Sequence, residues 1–368
     1  MFRKRNGSFC SCSWERFATI GVIGLGVLLC VISAFAKKKT ELWKTLPRPV
    51  AEDIWVRPAS SVLAQPIWGH ANGIRVGLHP MSGPRGLLRV FTPYMGQPDS
   101  VLINFIAVEP IAQGEDWRSF SEMEQSKLDK VQGKRFWSAN SPEDETPRIS
   151  HHSPASGVIE KEGTTQTLTV YILVEPFDNG AKVYLRLRFH SERPYEFSVA
   201  AFARKDSKPL KHCILTATMG NFARLRELHL KSSVTTSLEL WRDFKGDDFT
   251  PHAEFSLSDL IRNKKGHALF IAAPNEKNPE EAKYSPDTVY WWKYQGKPST
   301  QYWRCENPQP QLKGLVNGRA CFWGGQSPIP GGVSFENFEL MEPFKDGAEY
   351  WFGITPQPPM EFIKSEME

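Results

Sequence analysis

The sequence predicts an all-β protein whose bulk is one large antiparallel domain of two facing sheets. Three observations predict it. From about residue 53 onward, short stretches alternate apolar and polar residues, the period of a strand with one face in a core. Gly, Pro, Asn and Asp fall between these stretches, as in Asp178-Asn179-Gly180 and Asp346-Gly347, where the chain must reverse. Helical signals are few. Many strands at such spacing make a sandwich or a barrel, and for a region this long a pair of large sheets is the economical arrangement.

The N-terminus reads as targeting. Arg3, Lys4, Arg5 and Arg16 precede an uncharged run from Phe17 to Ala36, which ends in Ala34-Phe35-Ala36, a pattern that signal peptidase accepts. The run also approaches the roughly 20 residues that cross a bilayer as a helix. Lys37, Lys38 and Lys39 follow it, and positive charge tends to stay on the cytoplasmic side. Residues 1–36 are therefore a cleaved signal peptide or an uncleaved membrane anchor, with cleavage slightly ahead. A lipoprotein fits less well, because Leu28-Leu29-Cys30 lacks the small residue such sites place before the cysteine. The expected location of the body is outside the cytoplasm: periplasmic, extracellular or membrane-anchored. Residues 37–52, with Pro47 and Pro49, form a linker; 53–360 are the β domain; 361–368 are a C-terminal tail.

Lys182 to His190 is the clearest strand, with Val183, Leu185, Leu187 and Phe189 on one face and Tyr184, Arg186, Arg188 and His190 on the other. Similar signals occur at 73–79, 86–92, 101–108, 167–174, 195–203, 268–273, 289–294, 319–323 and 350–355. Short helices are expected at Ser119–Val131, where Ser121-Glu122-Met123-Glu124 resembles a capping pattern, and at Leu257–Lys264, with Ser258 as cap. Residues 138–156 and 275–286 read as long polar loops.

Composition narrows the function. With 40% hydrophobic and 23% charged side chains in 368 residues, a packed core is expected and global disorder is excluded. The 45 basic and 41 acidic residues are dispersed and leave a net charge of +4, which gives nucleic acid no electrostatic footprint. In the body, Cys305 and Cys321 are the natural disulfide pair if the compartment is oxidising; two free buried thiols fit nearly as well. Cys213 reads as a small buried hydrophobe. No spacing implies a metal, and no phosphate loop, dinucleotide fingerprint or nucleophile elbow is present, so no cofactor is expected.

The C-terminal segment Gly331-Gly332-Val333-Ser334-Phe335-Glu336-Asn337-Phe338-Glu339-Leu340, followed by Pro343-Phe344 and by Asp346-Gly347-Ala348-Glu349-Tyr350-Trp351-Phe352-Gly353-Ile354, resembles the end of galactose mutarotase-like proteins. There a strand bearing a functional glutamate leads into a turn and a last strand that starts with aromatics. The resemblance implies a β-supersandwich and a carbohydrate ligand, an oligo- or polysaccharide, and it makes Glu336 the candidate general base. It covers that segment only. The paired-histidine strand of aldose mutarotases is absent; the nearest stretch, Met219 to Arg226, offers Asn221 and Arg224 instead. The resemblance thus implies a ligand class more than one reaction, whether epimerase-, lyase- or hydrolase-like.

Sugar recognition uses flat apolar rings together with amide, carboxylate and guanidinium groups. Among 12 tryptophans, Trp292 and Trp323 are the candidates for a ring platform, core packing being the commoner use of any single one. Arg186 and Arg188 on the polar face of Lys182–His190 are candidates for a groove for an anionic sugar, and solubilising charge is the alternative. His190, at the end of that face, is the candidate acid partner of Glu336. Glu109, at the end of an apolar strand, is a carboxylate whose pKa burial would raise, or else a loop cap. Glu336 and Glu339, three apart in an extended segment, are expected on opposite faces. The expected function is an exported carbohydrate-binding or carbohydrate-active protein; the alternative is a non-catalytic envelope protein that docks a glycan or another protein.

Overall fold

The structure is a computed structural model that describes residues 45–46, 53–58, 66–79, 84–93, 100–150, 152–218, 225–275, 299–321, 328–329 and 331–368. The chain divides after Leu42, and the unit Trp43–Glu368 holds every element below. In chain order its strands begin with β1 (Thr45–Leu46), β2 (Trp55–Val56), β3 (Ile67–His70), β4 (Arg75–Gly77), β5 (Leu87–Pro93), β6 (Ser100–Ala112) and β7 (Phe136–Ala139). The middle of the chain gives β8 (Val158–Glu162), β9 (Thr165–Val174), β10 (Val183–His190), β11 (Glu196–Ala203), β12 (Leu210–Thr218), β13 (Leu225–His229) and β14 (Val234–Thr236). Then come β15 (Ala253–Ser256), β16 (Ile261–Arg262), β17 (Ala268–Pro274), β18 (Thr300–Cys305), β19 (Lys313–Arg319), β20 (Ser334–Met341) and β21 (Glu349–Thr355). Two helices complete the set, α1 (Ser237–Leu240) and α2 (Pro359–Met367).

The strands form two antiparallel sheets. The first runs β15-β19-β20-β12-β6-β5-β4-β3-β2, with β1 beside β6; the second runs β14-β13-β17-β18-β21-β11-β10-β9-β7, with β16 and β8 on its margins. The all-β, two-sheet architecture expected from the alternation is therefore observed. β10 shows why: its apolar residues are buried and its polar ones half-buried in strict alternation, so one face meets a core and the other faces outward.

The core lies between the inner faces. The first sheet contributes Val76, Val90, Ile106, Val108, Val316 and Phe338, and the second Val170, Ile172, Leu185, Leu187, Phe270 and Phe352. Phe270 and Phe338 stack across it with centroids 4.7 Å apart. Trp303 packs on Phe352 and spends its indole N–H on the Phe338 carbonyl at 2.9 Å, so a buried donor is satisfied by the opposite sheet.

Three expectations are corrected. Residues 119–131 form turns rather than a helix: Met123, Leu128 and Val131 are exposed, so no apolar stripe is available to bury. The Ser121 hydroxyl instead accepts from Val108 N at 2.9 Å and donates to the Gly86 carbonyl at 2.6 Å, bridging β6 to the start of β5. Residues 257–264 make a turn closed by Asp259, whose carboxylate accepts from Ser256 N at 2.8 Å, and then β16, which pairs with β17. The strand expected at 319–323 is β19, which ends at Arg319, and Trp323 lies outside the described residues. The strand expected at 289–294 also falls outside them.

The C-terminal residues are a helix, α2, that opens with Pro359 and lays Phe362 on the Tyr302 ring at 4.3 Å. Cys213, Cys305 and Cys321 are free thiols, so the Cys305–Cys321 bridge is not formed; Cys305 lies in the second sheet and Cys321 follows β19 of the first. Among the described residues no helix is long and apolar enough to cross a membrane, and the run Phe17–Ala36 lies outside them.

Candidate functional site

A bulge in β20 builds the site. Val316 of β19 pairs with Phe338 while Gly318 pairs with Phe335, so two steps of β19 are matched by three of β20. Phe335 and Phe338 thereby both enter the core. Glu336, Asn337 and Glu339 turn away from it together, onto the outer face of the first sheet. The expectation that Glu336 and Glu339 lie on opposite faces is thus corrected, because strict alternation fails at a bulge.

Each of these side chains is held by a neighbouring strand. Arg319 Nη2 meets Glu336 Oε1 at 2.9 Å. Asn337 accepts from the Thr218 hydroxyl at 3.0 Å, and its backbone N–H donates to Asn317 Oδ1 at 3.1 Å. Glu339 accepts from the Thr216 hydroxyl, since the register of β12 against β20 sets Thr216 beside it. In the neighbouring β6, the Asn104 amide donates to the Thr218 carbonyl at 3.2 Å.

Arg118 reaches onto this face from the segment after β6 and joins two carboxylates. Its Nη1 donates to Glu109 Oε2 at 2.9 Å and its Nη2 meets Glu339 Oε1 at 2.7 Å. The segment is fixed where Ser119 N donates to the Pro110 carbonyl and Ser121 N to the Val108 carbonyl, both at 3.2 Å. Gly86 permits that approach: with φ at +72°, a Cβ there would lie 2.0 Å from the Ser121 carbonyl oxygen. His252 closes the group, with Nε2 3.5 Å from Glu339 Oε1.

Burial sets the electrostatics. It pushes the Glu336 carboxyl above its ordinary 4.5, against the pull of Arg319. At Glu109, burial and then the Glu339 charge outweigh Arg118 and push the carboxyl up to about 8. Burial lowers the His252 pKa more than Glu339 raises it, so the ring is neutral near pH 7. For Arg118 burial works against the charge, but Glu339 and Glu109 together hold its proton more tightly than usual. The face therefore offers one carboxyl group, that of Glu109, able to take or give a proton near neutrality beside a fixed guanidinium.

Arg186, Arg188 and His190 lie on the outer face of the second sheet, with the core between them and Glu336. The structure brings these three together but not with Glu336, so His190 cannot be its acid partner. Glu349 takes the arginines: Arg188 Nε donates to it at 2.9 Å and its Nη2 meets the second oxygen, Ser198 donates at 2.8 Å, and Arg186 stands at 3.5 Å. The groove expected for an anionic sugar thus already contains its own anion. Asn221, Arg224, Trp292 and Trp323 lie outside the described residues.

Compared with protein-family models, with curated proteins and with solved structures, the chain matches none. Sequence reasoning missed Arg118, His252 and Arg319, since nothing local marks which distant arginine will meet which glutamate. For Glu109 the signal was readable: a carboxylate directly after the apolar run 101–108 has burial as its first prospect.

Proposed function

We propose that the chain is an exported, carbohydrate-recognising protein of galactose mutarotase-like type. Its ligand site is the polar outer face of the first sheet, and Glu336 is the general base if it turns sugar over. The observation that carries this reading is the β20 bulge, which sets Glu336, Asn337 and Glu339 on one face with Arg319, Thr218 and Thr216 beside them. Carboxylate, amide, guanidinium and hydroxyl groups in fixed register are the chemistry that reads sugar hydroxyls. β20 and β21 are also the strands that resemble the mutarotase-like C-terminus, which supports a supersandwich as the finer description of the fold. Export, with residues 1–36 as signal or anchor, rests on the basic residues, apolar run and Ala34-Phe35-Ala36 of the N-terminus.

A non-catalytic envelope protein that docks a glycan on the same face is the second reading. It is favoured by one observation: the side chain that meets Glu336 is Arg319, not a histidine. Screening the full-length protein in detergent against a glycan panel, with bound ligand and altered product both followed, separates the two. Turnover that falls at least a hundredfold in Glu336→Gln supports the enzyme. Binding without turnover in both proteins supports the docking role. No binding of any glycan would remove both.

A further inference from the structure

The outer face of the second sheet carries a cleft of about 300 Å³, separated from the Glu336 face by the whole core. Strand register sets two of its lining residues, Arg188 and Trp351, in one row. Thr169, Arg188, Ser198, Trp351 and Arg304 stand directly opposite one another across β9, β10, β11, β21 and β18, and His190 stands one pair along, opposite Thr167. We propose that this cleft binds a neutral oligosaccharide, at a site independent of the one assigned above.

Charge argues for a neutral ligand. Glu349 is matched by Arg188 and Arg186, Glu306 faces Arg193 and Arg304 at 3.6 Å, and Glu192 accepts from the Thr165 hydroxyl at 2.7 Å. An anion entering the cleft would meet three carboxylates, and a cation would meet the arginines. Hydroxyl groups face neither penalty, because paired carboxylates keep spare lone pairs and paired guanidinium groups keep spare N–H bonds.

Two atoms bear on the kind of ligand. His190 Nε2 and Trp351 Nε1, both on side chains that line the cleft, are buried and have no hydrogen-bond partner among the described residues. Trp351 is 4% exposed. Arg193 and Arg304 lie over its ring at 4.6 and 5.2 Å, so the ring is not a free stacking platform. Burial, then Arg188 and Arg193, lower the His190 pKa, and Thr167 Oγ1 stands 3.4 Å from its Nδ1. The neutral ring therefore leaves Nε2 to meet a hydroxyl as donor or acceptor.

The test titrates the full-length protein in detergent with maltohexaose, cellohexaose and xylohexaose, and with hexagalacturonate as the anionic control, by calorimetry. The expected result is saturable binding of at least one neutral hexasaccharide. That binding should weaken at least tenfold in His190→Ala, with the circular dichroism unchanged, and stay as it was in Glu336→Gln. Should His190→Ala fail to fold, Glu192→Gln carries the same expectation. Binding of no hexasaccharide, preference for hexagalacturonate, or neutral binding lost in Glu336→Gln but kept in His190→Ala overturns the proposal. The last of these leaves the first-sheet site standing, so the two readings fail separately.

Discussion

Arg319 and Glu336 meet at 2.9 Å with their side chains only 5% and 6% exposed. An ion pair so far from water gains little over an apolar pair, yet removing one partner strands the other charge. Arg319→Met is expected to cost about 3 kcal/mol or more, because it leaves the Glu336 carboxylate buried without its guanidinium. Arg319→Met combined with Glu336→Leu should cost clearly less than the sum of the singles. Urea denaturation of the four proteins checks this, and additive losses would show that the two side chains are not coupled.

Stability should also fall with pH through the neutral range. The Glu109 carboxyl is held at about 8 in the fold against an ordinary 4.5. Between those values the folded state keeps a proton that the unfolded state has released, so folding is favoured below 4.5 and loses that advantage as pH rises towards 8. The expected decline is a few kcal/mol at most, on the order set by ~1.4 kcal/mol per pH unit. Denaturation midpoints between pH 5 and 8 read it directly. Glu109→Gln should flatten the slope, and an unchanged slope would show that another group causes it.

Gly353 sits where a Cβ would lie 2.1 Å from the Tyr302 ring, which is itself held by Glu196 at 2.8 Å and covered by Phe362 of α2. Gly353→Ala must push that ring aside. The expected loss is about 1–3 kcal/mol, accompanied by faster amide exchange in Pro359–Met367 as α2 loses its seat. Unaltered exchange there would show that the ring moves without the helix.

The sequence declares its strands wherever one face is buried and the other wet. Val183–His190 is the plainest case, because alternation records that difference residue by residue. It could not declare the bulge in β20, which shows in the sequence only as Phe335 and Phe338 three apart, a spacing that strict alternation assigns to opposite faces. Nor could it foresee that Ser121 would bridge β6 to the start of β5 instead of capping a helix, since the same hydroxyl serves both. The site followed the same division. Arg186, Arg188 and His190 were correctly read as sharing a face, but which sheet Glu336 belongs to depends on pairing between distant strands. That is why an expected Glu336–His190 pair proves to straddle the core.

The most direct test of the account is the glycan affinity of Asn337→Ala. Asn337 shares the bulged face with Glu336, carries no charge, and gives up one hydrogen bond, from Thr218, when it is removed. For a glycan whose binding His190→Ala leaves unchanged, calorimetry should show an affinity weakened roughly fivefold or more, the loss of about one hydrogen bond. Affinity unchanged by Asn337→Ala for every glycan the protein binds would contradict the account, because it would leave the bulged face of the first sheet without a ligand.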